Sequence, residues 1–273
     1  MATIWSTIAE SAPHVSSLLS WRTLALVLAL TNLKSLHLMW FIRSLRLFIR
    51  RMTDTAPSKH ISPRCLFLPA IHKTRSPALE CDYNLHKSNS TYFTDMDMSR
   101  VNFTLVLFRN IFRLVPGPNH FTLVLGATSC TWHREIKPFQ AYELWTRIIS
   151  WDEKWLYVVT HFVQPGVFVP EEYAMQPSKR RAARDNKKDV DPKRTVFASS
   201  VARYVFKNNR KTEAPEQALR RAGLLPTRED EMAEVEKHRV RGLAVGRLEA
   251  GWEKVRDLFE PGPMALGWYN SVY

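Results

Sequence analysis

Between Glu80 and Arg100 the chain reads ECDYNLHKSNSTYFTDMDMSR. Asp82 and His86 stand four residues apart, and Asn89, Ser90, Thr91 and Tyr92 follow. An exposed aspartate has a pKa of about 3.9 and is ionised at neutral pH. Such a carboxylate can attack a carbonyl carbon as a nucleophile, or take a proton from water as a general base. Asn89, Ser90 or Thr91 can cap a helix that starts here, through a side-chain oxygen. Capping accounts for those three without any catalysis, but it leaves Asp82 and His86 unexplained. The free N–H groups at a helix start point at whatever anion sits there. A carbonyl held at that end would have its developing oxyanion stabilised.

Other chemistry is poorly supported. Cys65, Cys81 and Cys130 lack metal-ligand spacing and cannot make an even-numbered disulfide framework, which fits free thiols in a reducing compartment. His120, His133 and His161 have no acidic or cysteine partners at metal spacing, so no metal is expected, and no cofactor either. Ser90 and Ser129 lack a nucleophile-elbow sequence. Glu143 and Asp152 read as solvated charges. Trp132, Trp145 and Trp155 read as core or interface aromatics. The formal net charge is +13, which suits nucleic acid or an anionic membrane. The basic residues gather in Arg43–Arg51, Lys179–Arg194 and Arg220–Arg247 without interleaved aromatics, so a nucleic-acid groove is not expected.

The elements that must position Asp82 follow from pattern. A helix is expected from Asn89 to about Arg113, ended by PGPN at Pro116–Asn119. Its second half, VNFTLVLFRNIF, is apolar almost all round, as in a helix enclosed by a domain. A short apolar run, Cys65 to Ile71, reads as a first strand or its approach. Four stretches rich in β-branched and aromatic residues read as strands: His120–Trp132, Phe139–Ser150, Lys154–Val163 and Thr195–Phe206. Trp151-Asp152-Glu153 joins the second and third of these as a tight antiparallel hairpin. Residues 170–193 form a charged insertion, and residues 64–212 are expected to make one α+β domain, a helix against an antiparallel sheet. A helical extension covers 213–260, with Thr227 as an N-cap before acidic residues, and 261–273 reads as a tail.

Residues 1–52 read as a membrane-associated segment, joined by a Pro-punctuated linker over 53–63. Thr23 to Ile42 has the length of one span, about 20 residues. Asn32, Lys34 and His37 interrupt it, and a lysine near a span centre costs roughly 2.5–3.5 kcal/mol on insertion scales. Residues 18–51 therefore read either as a single span or as a helix lying in the interface. A buried amphipathic helix of a soluble domain is the non-membrane alternative. Arg43, Arg46 and Arg50 recur at helical spacing as a basic stripe suited to lipid headgroups. Arginines after the apolar run place the remainder on the cytosolic side.

The opening stretch also carries a resemblance. Asp82, His86, Asn89 and Tyr92 match the D-x3-H-x-N-N-x2-Y signature of hotdog-fold thioesterases, with Ser88 where the first Asn often stands. The similarity continues through TDMDMSR, WHREIKPFQAYELWTRIISWDEKWLYVVTHFV and TVFASSVARYVF, over roughly residues 64–260. It resembles most the membrane-associated thioesterase superfamily member 6 group and the thioesterase-like proteins of fungal secondary-metabolite gene clusters. The resemblance implies a hotdog fold, a sheet wrapped around one long helix. It implies a homodimer with the site between protomers, and an acyl thioester substrate on CoA or an acyl carrier protein. It makes Asp82 the nucleophile or base and the helix start at Asn89–Thr91 the oxyanion donor. His86, Asn89, Ser90, Thr91 and Tyr92 would support the loop and helix start. Three activities fit: a thioester hydrolase, a non-catalytic acyl-binding scaffold at a membrane, and a dehydratase-like enzyme on the same fold.

Overall fold

The computed structural model describes residues 20–53, 61–112, 121–177 and 190–270. Helix α1 covers Trp21–Thr31 and α2 covers Met39–Thr53. Strand β1 (Ala70–Arg75) precedes the long helix α3 (Asn89–Leu107). Strands β2 (Phe121–Trp132), β3 (Ala141–Trp151) and β4 (Leu156–Val163) follow. After β5 (Glu172–Tyr173) come β6 (Val196–Asn208) and β7 (Lys211–Glu213). Helices α4 (Pro215–Arg221), α5 (Glu229–Gly246) and α6 (Glu253–Asp257) lead to β8 (Met264–Ala265) and β9 (Gly267–Asn270).

The main sheet runs β2-β6-β4-β3-β1-β9, with β7 paired to β6. All neighbours are antiparallel except β9, which lies parallel to β1. The mixed α+β class and the antiparallel sheet of the sequence reading hold. The β3–β4 hairpin closes where expected, with Asp152 N–H donating to Trp155 O at 2.9 Å.

Both faces of the sheet are covered, so its central strands read as continuous apolar runs. On one face, Phe103, Leu107 and Phe108 at the end of α3 pack with Ile148, Val158 and Ala202. On the other, Val245 of α5 and Val255 of α6 pack with Ile149, Val159 and Val201. Adjacent residues such as Val158 and Val159 serve opposite cores, as the period of two demands. α5 approaches β3 so closely that a Cβ on Gly242 would lie 2.1 Å from Ile149 O.

Several boundaries differ from expectation. α3 ends at Leu107, short of Arg113. Cys65 closes a 3-10 turn, Pro63–Cys65, and the first strand begins at Ala70, because Pro63 presets a turn. Arg228, not Thr227, occupies the cap position of α5. Part of the stretch read as a tail forms β8 and β9. Most of the 53–63 linker and half of the charged insertion fall outside the described residues.

The largest correction concerns residues 18–51. No described helix is long and apolar enough to cross a membrane. The apolar run breaks after Thr31 into a 3-10 turn, Leu33–Ser35, and Leu38 takes a left-handed φ of 68° before α2 starts. The residues that looked like flaws in a span are the reason. Asn32 Oδ1 accepts from Leu79 N–H at 2.8 Å, and Lys34 is buried among carboxylates. Both are docking points on the domain. The arginines are also reorganised. Arg43 is buried against α3, and Arg50 lies 4.7 Å from the centre of the Tyr269 ring. The basic stripe is therefore split, with Arg43 buried, Arg50 half-buried and Arg46 exposed, and Phe41, Ile42, Leu45 and Ile49 turn outward.

Candidate active site

Asp82 sits on a short loop pinned at both ends. Cys81 and Lys87 form a β-bridge, and Asp82 N–H donates to His86 O at 3.0 Å. Leu85 reverses the chain at φ 60°. Lys87 N–H donates to Ile136 O, and Ser88 N–H to Glu80 O, each at 2.8 Å. Asp82 Oδ1 accepts from Asn84 N–H at 2.9 Å, and His86 Nδ1 lies 3.7 Å from the same oxygen. The Asp82 side chain is 28 % exposed, so water and substrate can reach it.

α3 starts seven residues beyond Asp82, at Asn89. The expected cap is corrected here. Ser88 occupies the cap position, and its side chain makes no capping bond. Asn89, Ser90 and Thr91 are the first turn itself. Thr91 Oγ1 turns back to Ser88 O at 2.7 Å, while Asn89 and Ser90 are exposed. The first N–H groups of a helix lack intrahelical acceptors, and here no capping side chain occupies that end. Tyr92 is buried, 4.8 Å ring to ring from Phe162, and burial pushes its phenol up. It is a core aromatic under the helix start. The structure thus brings Asp82 and His86 together on the loop that leads into α3, and it puts Tyr92 under the first turn of that helix.

Behind the loop lies a buried charge cluster that the sequence reading missed. Glu80 and Lys87 flank the loop and pair at 2.6 Å. Asp95, two turns into α3, lies 3.0 Å from Lys87 and 2.7 Å from Lys34. Lys34 also meets Glu80 at 3.0 Å and Arg75 O at 3.0 Å. Arg43 approaches Asp95 at 3.4 Å, and Tyr142 Oη donates to Asp95. Burial pushes the Asp95 carboxyl up, but Lys34, Lys87 and Arg43 outweigh it and hold the group well below the usual carboxylate range. Burial lowers the Lys34 pKa. In the sequence Lys34 stood out as a costly interruption of an apolar run, and nothing nearby in the chain pointed to the acid it meets.

A cavity of about 480 Å³ opens further along α3. Trp40 and Phe48 of α2 form one wall, and Leu123 and Leu125 of β2 another. Asp97 and Arg100 of α3 add its charged groups. Burial raises the Asp97 carboxyl, with Arg100 opposing. Neither residue was singled out from the sequence. His133 and His161 converge on Ser199, at 3.3 and 3.1 Å. Burial pushes His161 well down, so it is a neutral core residue.

Comparison with known proteins adds a family context. A model of the thioesterase-like superfamily matches residues 77–221. The chain is 34 % identical over 268 residues to thioesterase poxG of Penicillium oxalicum, covering 88 % of this chain and 87 % of that protein. It is 36 % identical over 230 residues to the probable thioesterase atnL of Emericella nidulans, covering 75 % and 72 %. Among solved structures, the dynemicin thioesterase superposes with a TM-score of 0.40 at 14 % identity, over 57 % of this chain and 94 % of that one.

Proposed function

Because this chain belongs to the thioesterase-like superfamily, we propose that it hydrolyses an acyl thioester carried by CoA or an acyl carrier protein, with Asp82 at the reacting carbonyl. The observation that supports the site assignment is a reachable carboxylate on a pinned loop that leads into a helix start with no side-chain cap. In the base route, Asp82 takes a proton from water and the oxygen attacks the carbonyl carbon. In the nucleophile route, Asp82 attacks that carbon itself and water later cleaves the anhydride. In both, the N–H groups of Asn89 and Ser90 stabilise the oxyanion, since that of Thr91 donates to Ser88 O at 3.0 Å, and the C–S bond breaks with the thiolate leaving. His86, next to Asp82, orders the loop.

The setting to which the resemblance points is fungal secondary metabolism, with an acyl or polyketide chain as the group released. A homodimer is part of the proposal. Among the described residues β2 pairs on one side only, with β6, and exposes Val124, Leu125 and Trp132. A long apolar edge of this kind invites pairing with a second copy. Attachment to the cytosolic face of a membrane is also proposed, through α1 and the outer face of α2. Trp21 is 74 % exposed and Leu24 71 %, with Leu38 and Phe41 nearly as open. A contiguous apolar surface rarely faces water alone.

The test is hydrolysis of a panel of acyl-CoA thioesters by the full chain and by Asp82→Asn. Turnover by the wild type, with a large loss in the variant, supports the reading. Full activity in folded Asp82→Asn removes the site assignment. No turnover of any thioester favours the acyl-binding scaffold.

A further inference from the structure

A small cavity, of about 30 Å³, lies on the inner flank of α2. Arg43, Arg46 and Arg50 stand at i, i+3 and i+7 of that helix, and all three line it, together with His72, Tyr269 and Asn270. Among the described residues no carboxylate belongs to its wall. Arg43 is buried and shares Asp95 with Lys34 and Lys87. Arg46 is exposed and Arg50 half-buried, and neither has a carboxylate partner among the described residues. The cluster behind the Asp82 loop cannot neutralise them, since it already holds three cations against two carboxylates. Arg50 lies over the Tyr269 ring, 4.7 Å from its centre. A guanidinium stacked by its face keeps its in-plane N–H donors for an anion. Burial, and then Arg43, pushes His72 down to about 3, so the imidazole is neutral and adds no charge of its own. Two uncompensated guanidiniums match a phosphate monoester, which carries about −1.5 to −2 at neutral pH. Arginine also grips phosphate oxygens in bidentate pairs. At about 10–15 Å³ for each water-sized group, the cavity admits two or three phosphate oxygens and leaves the ester outside. The neighbours of Arg46 show what lies outside. Ile42 is four residues before it and Ile49 three after, so both adjoin it on the helix surface, and both are exposed. Arg46 therefore borders the cavity on one side and the outward apolar face of α2 on the other. An amphipathic helix whose apolar face sinks to the headgroup boundary holds such flanking residues at the level of lipid phosphates.

We propose that this cavity is a binding site for the terminal phosphate of a lipid headgroup, held by Arg43, Arg46 and Arg50. The phosphate site stands on the cavity and its arginines. That the phosphate belongs to a lipid rests on the membrane attachment proposed above for α1 and α2, and is independent of catalysis at Asp82.

The test uses the full chain and phosphatidylcholine vesicles that contain either phosphatidic acid, whose headgroup is a phosphate monoester, or phosphatidylserine, matched for surface potential. A charge-assisted hydrogen bond is worth about tenfold in affinity or more, so the phosphatidic acid vesicles should bind the wild type roughly tenfold tighter. In Arg46→Gln combined with Arg50→Gln that ratio should fall to about one. Arg22→Gln removes an exposed arginine of α1 that is not part of the cavity wall. It should weaken binding to both vesicles alike and keep the ratio. If the double variant does not fold, Arg46→Gln alone, at an exposed position, must lower the ratio. Glycerol 3-phosphate serves as the soluble headgroup. At equal ionic strength it should raise the Tm of the wild type above that in chloride, and leave the double variant unmoved. Equal binding of the wild type to the two vesicles overturns the proposal. So does a ratio that persists in the folded arginine variants, or one that Arg22→Gln removes equally well. The two readings fail separately. Vesicle binding that Leu24→Asp with Phe41→Asp abolishes, but that shows no preference for phosphatidic acid, keeps the attachment and removes the phosphate site. A Tm rise with glycerol 3-phosphate without binding to any vesicle overturns the lipid assignment and leaves a site for free phosphate.

Discussion

Asp82 and Asp95 are both aspartates near one helix end, and their surroundings divide their tasks. Asp82 is reachable and contacts its own turn and His86. Asp82→Asn keeps the size and the turn-forming oxygen but removes charge and basicity. Its kcat against an acyl-CoA should fall by at least about 10²–10⁴-fold. His86→Ala should cost less and act mainly through loop stability, measured as a lower Tm with a smaller drop in kcat. Asp95 is buried under three cations. Three cations face two carboxylates, Glu80 and Asp95, so Lys34→Met leaves a balanced set and should cost about 1–3 kcal/mol. Asp95→Asn leaves three cations with one carboxylate and should cost about 3–5 kcal/mol. Urea unfolding of both variants tests that order. Asp95 is depressed in the fold, so its stabilisation is complete above the ordinary value of 3.8 and is lost as pH falls from there towards the depressed value. Stability of the wild type should therefore decline below about pH 4 more steeply than that of Asp95→Asn.

At the scale of elements, α5 shows how closely a helix can be laid on a sheet. Ala is favoured over Gly inside a helix by about 1 kcal/mol. At Gly242 the new Cβ would meet a backbone carbonyl at 2.1 Å, and at Gly246 the Tyr157 ring at 2.7 Å. Backbone cannot step aside as a side-chain tip can. Gly242→Ala should be destabilising by about 1–3 kcal/mol despite the propensity gain. Gly262→Ala, which meets nothing within 4 Å, should stay within about 0.5 kcal/mol of wild type. Thermal unfolding of both variants separates packing from propensity.

For the whole molecule, the first described helices are part of the domain rather than a detachable anchor. Lys34 and Arg43 supply cations to the cluster behind the Asp82 loop, and Trp40 and Phe48 wall the cavity. A chain shortened to begin after residue 53 should lose folded yield, measured by circular dichroism, because Glu80 and Asp95 keep only Lys87 close by. The full chain should float with anionic vesicles in a density gradient. Leu24→Asp combined with Phe41→Asp should leave it at the bottom, since neither side chain is buried against the domain.

Local pattern was enough for β2, β3, β4 and β6, the hairpin at Asp152 and the start of α3, but not for β1 or the short strands β5, β7, β8 and β9. Alternation, turn chemistry and an apolar helix face each act over a few residues, and all of them lie within reach of a sequence. The Asp82 loop was legible for the same reason, since Asp82 and His86 are close in the chain. The cluster and the cavity were not. Lys34 meets Asp95 across sixty-one residues, and Arg100 meets Ser200 across one hundred. A lysine in an apolar run has the same sequence signature whether it meets lipid or a buried carboxylate. Only the tertiary structure decides between them, because the partner that makes its burial tolerable comes from a distant part of the chain.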